Sequence, residues 1–274
     1  VDVLLWVLFG LLPAIAAMLF GVGVGGPRWL ALALAVAICV PSCMADGWPG
    51  WVWDLDLMYG EPRSALWWTL LIGGLIGTVF DSRLLPRGLN VVLEAGLVLM
   101  LPWLLSAPLR QASSFEGGLL YLAVGWFLIL VLWLGLRRSA MAQPGLSVPL
   151  AMTIALGVDA WLLRENTGGP DWQLAGVASV ALGFAVITTI WRRPFVCGSG
   201  AALTITLAHT GLLICGRSER ELLQLPFVLA WIAPLAMWLV VAPCVARQRQ
   251  LGAFVAVLLV ATCGGFAIWL SASA

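Results

Sequence analysis

Lysine is absent from this 274-residue chain, histidine occurs once, tyrosine twice, and only 10% of residues are charged. Soluble globular domains carry roughly a quarter of their residues as Asp, Glu, Lys or Arg, so the shortage of charge excludes that class. A lone histidine, His209, excludes a membrane cytochrome of the bis-histidine kind, which needs two axial imidazoles. The net charge of +1 leaves no basic surface for nucleic acid. Nucleotide and cofactor signatures are missing as well. The run Gly21-Val-Gly23-Val-Gly25-Gly26 shares only its glycines with a phosphate-binding loop, follows no strand, and reads as a flexible turn. No Ser, Thr or Cys has a base and an orienting acid at recognisable spacing, so nucleophilic catalysis is unsupported and no cofactor is expected. The chain opens Val1-Asp2 and runs straight into apolar residues, without the basic n-region or small-residue cleavage site of a secretory signal, so the first helix is expected to be retained.

What is present is apolar: 62% of residues are hydrophobic and the mean hydropathy is +1.04. Apolar runs of about 17 to 22 residues, the length that crosses a bilayer, fall near 3–22, 29–44, 65–81, 88–107, 118–136, 147–164, 172–191, 195–215, 226–246 and 251–271. They predict an all-α polytopic transmembrane bundle of about ten membrane-spanning helices, arranged as five hairpins in one integral membrane domain over residues 1–274.

All 14 basic residues are arginine, a mark of GC-rich coding more than of a partner. Nine of them sit in the predicted hairpin turns, at Arg28, Arg83, Arg87, Arg137, Arg138, Arg192, Arg193, Arg247 and Arg249, with a single acid, Asp81. The opposite connections carry the other five, Arg63, Arg110, Arg164, Arg217 and Arg220, and nearly all the acids. Counting basic residues, the positive-inside rule puts the arginine turns in the cytoplasm of a bacterial inner membrane and both termini outside. Arg28, Arg83, Arg138 and Arg193 are evenly spaced, but the hairpins do not align with one another. Two 20-residue helices with short loops give such a period without duplication.

The six cysteines lie in or beside apolar runs and read as small buried hydrophobes. Cys39 and Cys43 share a helical face, yet no nearby His or third thiolate completes a metal site. Gly73 and Gly77 form a small-xxx-small pair suited to close helix approach. Pro13, Pro41, Pro102 and Pro234 interrupt apolar runs, and each frees a backbone carbonyl that lipid cannot satisfy.

The outer connection from Ala45 to Ser64 holds Trp48, Trp51, Trp53 and Tyr59, rings suited to the headgroup level, with Asp54 and Asp56 between them. It reads either as an interfacial anchor or as an outward site in which Asp54 and Asp56 hold a divalent cation. Three ionisable residues fall inside apolar runs, where charge is costly and calls for a role. Glu94 has Asn90 and Arg87 behind it on its own helix. Asp159 leans toward the membrane centre, away from Arg164, with no basic residue of its own helix in reach. His209 has Thr206 and Thr210 as local partners, and if the sixth and eighth helices touch, Asp159 and His209 form a protonatable pair.

These features fit a permease for a small or lipophilic solute, with Glu94, Asp159 and His209 along a midplane path. The alternatives are a non-catalytic membrane subunit or scaffold, and a membrane enzyme acting on lipid-linked substrates at the outer face through Asp54 and Asp56. The expected partners are the lipid bilayer, a small-molecule solute and another membrane protein, and no nucleic acid.

Overall fold

The computed structural model describes residues 12–25, 29–46, 62–81, 86–105, 115–142, 146–167, 171–191, 197–215, 224–243 and 248–273. Among these residues the chain is all-helical, with ten helices and no strand. They are α1 (Leu12–Gly25), α2 (Leu30–Asp46), α3 (Pro62–Asp81), α4 (Arg87–Leu105), α5 (Phe115–Ala142), α6 (Ser147–Thr167), α7 (Asp171–Trp191), α8 (Ser199–Cys215), α9 (Leu225–Ile232) and α10 (Arg249–Ser273). Four of them contain stretches long and apolar enough to cross a membrane: Gly88–Leu105, Leu122–Ala142, Ser147–Asn166 and Arg249–Ser273. The other apolar stretches, such as Ala65–Val79 and Ser199–Cys215, are shorter.

Three local expectations are corrected. The glycine run does not form a turn: α1 continues through Gly25, because closing backbone hydrogen bonds in an apolar setting outweighs the conformational freedom that glycine gives up. Arg137 and Arg138 do not lie in a turn either, since α5 runs on to Ala142. Arginine is a good helix former, and its long side chain reaches polar partners from within a helix. The ninth run is not one α-helix. At Ala233, one residue before Pro234, it tightens into a 3-10 helix that extends from Ala233 to Val241. Proline lacks the N–H and crowds the carbonyl four residues back, so the α ladder fails there.

Two side chains tie this tightened segment to α5. Ser139 Oγ donates to the Met237 carbonyl at 2.7 Å, and Trp238 Nε1 donates to the Val131 carbonyl at 3.0 Å. A similar device serves α4, where Trp126 Nε1 donates to the Leu99 carbonyl at 2.7 Å, in the turn disturbed by Pro102.

The centre of the bundle is α8, every residue of which from Gly200 to Cys215 is buried. It touches α2, α3, α4, α5, α6, α7 and α9. No Asp, Glu, Lys or Arg occurs between Ser199 and Cys215, and apart from His209 small, apolar and threonine residues occupy all sides of the helix, which is the composition of a helix surrounded by others. Its threonines need no outside partner: Thr204, Thr206 and Thr210 donate to the carbonyls of Gly200, Ala202 and Thr206.

Antiparallel to α8 lies α3, fitted to it at four glycines. A Cβ at Gly77 would stand 2.7 Å from the Gly200 carbonyl oxygen, and one at Gly73 would stand 2.6 Å from Leu207 Cδ1. Leu66 in turn fills the notch at Gly211. The backbones of α3 and α8 therefore approach closely, as small residues allow. At the end of the contact Asp81, the last residue of α3, accepts a hydrogen bond from the Gly200 amide at 3.3 Å and so caps the first turn of α8 from a neighbouring helix. Large apolar side chains face outward on α4 and α10, among them Val92, Met100, Trp103, Phe254, Leu258 and Trp269.

Candidate functional site

α6 and α8 start at the same end of the bundle, the end that carries Arg137, Arg138 and Arg249. At about 1.5 Å per residue, Asp159 stands roughly 18 Å along α6 and His209 roughly 15 Å along α8. The two helices pack together, and similar depth brings the two side chains into contact. His209 Nδ1 and Asp159 Oδ2 are 2.5 Å apart, and both side chains are 0% exposed. The local partner expected for His209 is not used, because Thr206 turns its hydroxyl back to Ala202 and Thr210 turns its own to Thr206.

One bond leaves each group half satisfied. Among the described residues, Asp159 Oδ1 and His209 Nε2 are buried without a hydrogen-bond partner. The pair thus has one closed contact, Nδ1 to Oδ2, and two open positions. With Nδ1–H donating to the carboxylate, Nε2 can gain or lose a proton without breaking the bond between α6 and α8. Gain makes the pair a zwitterion of net charge zero. Loss leaves a net negative charge among apolar neighbours, a far less favourable state at this depth.

Glu94 is placed differently. It lies roughly 10 Å along α4 at the usual helical rise, nearer the arginine end, and its side chain is 0% exposed. The partner that the structure gives it is on another helix: Arg137 Nε of α5 stands 3.4 Å from Glu94 Oε2, an ion pair without hydrogen-bond alignment. The Arg137 guanidinium also lies 5.3 Å from the centre of the Trp133 ring, one turn back on α5. Glu94 thus ties α4 to α5, and the Arg87 side chain expected behind it lies outside the described residues. Asp81 stands close enough for its charge to act on Glu94.

The structure brings Asp159 and His209 together and holds Glu94 in a separate pair near the arginine end. Asp54, Asp56, Trp51 and Trp53 lie outside the described residues. Two charged neighbours of Glu94 escaped the sequence reading of that residue, Arg137 and Asp81. The signal for Asp81 was present, since it is the one acid among the arginine turns. Cys197 precedes α8 and is buried. Among the described residues no group of three or more His, Cys, Asp or Glu is arranged to hold a metal ion.

Comparison with protein-family models and with curated proteins returns no match.

Proposed function

We infer that this chain is an integral protein of a bacterial cytoplasmic membrane and works as a permease for a small or lipophilic solute, with Asp159 and His209 as its proton-exchanging group. The observation that carries the reading is the fully buried Nδ1–Oδ2 contact with an open position on each side. A purely structural tie between α6 and α8 needs no ionisable groups, and intramembrane ionisable residues mark proton and solute pathways. A pair that is tolerable when protonated and costly when not also supplies a coupling device. Losing its proton favours admitting water to the open Nε2 and Oδ1 positions, and regaining it favours excluding that water again, with the tie between α6 and α8 kept.

The bilayer is the surrounding partner in this reading, and the outward apolar side chains of α4 and α10 support it. The arginine end is cytoplasmic, and the ends of this stretch are outside. The second reading, a non-catalytic membrane subunit bound to another membrane protein, draws support from the zero exposure of the same pair and from the glycine-fitted contact of α3 with α8. Action on lipid-linked substrates at the outer face rests on Asp54 and Asp56 alone.

Proteoliposomes loaded with a pH-sensitive dye separate the two main readings. Small solutes are added outside one at a time. A permease gives solute-dependent proton movement in the wild type that Asp159→Asn abolishes while insertion and melting stay intact. A subunit gives no solute-dependent movement for any member of the panel, and identical traces for wild type and variant.

A further inference from the structure

Arg137 and Arg138 are adjacent in sequence and opposite in fate. Arg137 is only 16% exposed and turns inward to Glu94. Arg138 is exposed, and among the described residues the ion pairs engage Arg137 and His209, not Arg138. Its guanidinium lies 5.4 Å from the centre of the Trp238 ring. That ring is fixed in turn, because Trp238 Nε1 donates to the Val131 carbonyl and the indole rests on Gly135, where a Cβ would collide with it. The cation therefore stands against an aromatic ring that is itself hydrogen-bonded and packed, at the rim of a groove of about 790 Å³ between the end of α5 and the 3-10 segment. The groove walls are apolar, with Leu235, Leu239, Val241 and Pro243 among them. A second cation stands one helical turn further on, where Arg249 Nη1 donates to the Ala142 carbonyl at 2.9 Å.

We propose that this groove binds an anionic phospholipid, its phosphodiester on Arg138 with Arg249 beside it and an acyl chain along Leu235 and Leu239. The proposal rests on the membrane reading above and not on transport. Charge complementarity selects the headgroup: two arginines without a carboxylate partner among the described residues face the level at which lipid phosphates lie, and basic pockets at helix ends on the cytoplasmic side recognise such headgroups. The apolar walls select a lipid over a free phosphate, which would leave Leu235 and Leu239 uncovered. Trp238 supplies the ring that positions the guanidinium, so the site is built from both elements and is lost if the 3-10 segment moves.

The purified full chain in nonionic detergent is titrated with dioleoyl phosphatidylglycerol, with dioleoyl phosphatidylcholine of the same chains, and with inorganic phosphate, and melting is followed. Phosphatidylglycerol is expected to stabilise more than phosphatidylcholine, and phosphate not at all. Arg138→Gln should weaken the apparent phosphatidylglycerol affinity about fivefold, the value of one arginine at a membrane surface, and Arg138→Lys should restore most of it. A photoactivatable phosphatidylglycerol on the wild-type protein, which needs no variant, should crosslink within residues 235–243. Equal stabilisation by both lipids, an unchanged preference in Arg138→Gln, stabilisation by phosphate alone, or crosslinks confined to other segments each overturn the groove. Release of the chain from membranes by alkaline carbonate removes the membrane reading and the groove with it. A chain that stays in the membrane but shows no headgroup preference loses the groove alone.

Discussion

Gly77 of α3 and Gly200 of α8 meet backbone to backbone: a Cβ on Gly77 would stand 2.7 Å from the Gly200 carbonyl oxygen and 2.9 Å from Ala31 Cβ. Neither a carbonyl nor a methyl on a buried helix can swing aside. Gly77→Leu must therefore push α3 off α8 or fail to fold, and a thermal melt in detergent is expected to drop by an amount corresponding to about 3 kcal/mol or more. Leu75, which is 54% exposed on the other side of α3, should tolerate Leu75→Ala with little change. Equal losses for the two variants would count against the glycine contact.

Glu94 and Arg137 provide a coupled pair. Removing either charge alone strands the other in a mostly apolar setting, so Glu94→Leu and Arg137→Met should each destabilise, while the double variant recovers much of the loss. A double-mutant cycle on melting stability is expected to return a coupling of about 1–3 kcal/mol. Additive effects would mean that the 3.4 Å approach contributes nothing.

Orientation is testable at two exposed positions at opposite ends of the bundle, Gln248 before α10 and Glu165 near the end of α6. In a cysteine-free version, a membrane-impermeant thiol reagent on intact cells should label Glu165→Cys and spare Gln248→Cys. The opposite pattern would turn the arginine end outward. Ser139, although it neighbours the arginines, is unsuitable as a probe because it is buried against Met237.

How much of this was legible beforehand differs from element to element. The order of the ten helices follows from apolar run length, because backbone groups away from water close into helices whatever the side chains. Which helix lies at the centre does not follow from it. Lipid and protein interior are both apolar, so hydrophobic periodicity carries no inside-outside signal for such a helix. The one sign in the sequence is a quiet one, the lack of any Asp, Glu, Lys, Arg, Phe, Trp or Tyr from Ser199 to Cys215.

The pairing of Asp159 with His209 was legible as a conditional, since both sit at similar depth on helices running in the same direction; the contact of α6 with α8 supplied the condition. The partner of Glu94 was not. Helix ends drawn at the first charged residue put Arg137 in a turn, whereas α5 continues past it, and arginine inside a helix end is common because its stem packs while its head finds polar company. The 3-10 segment was visible only as Pro234, because the length of a tightened stretch depends on the tertiary bonds from Ser139 and Trp238 that hold it.

The central claim, that Asp159 and His209 exchange a proton, has an unusually direct test because His209 is the chain's one histidine. Uniform incorporation of 15N-histidine labels its imidazole alone, and solid-state NMR in bilayers reads the protonation of Nδ1 and Nε2 separately. Across a pH series the wild type should show both a protonated and a free form of Nε2 while Nδ1 stays hydrogen-bonded. Asp159→Asn should abolish the imidazolium form over that series, because the amide cannot stabilise a buried cation as a carboxylate does. A wild-type spectrum with one fixed state of Nε2 at every pH, unchanged by Asp159→Asn, would contradict the account and leave the pair as a static tie between α6 and α8.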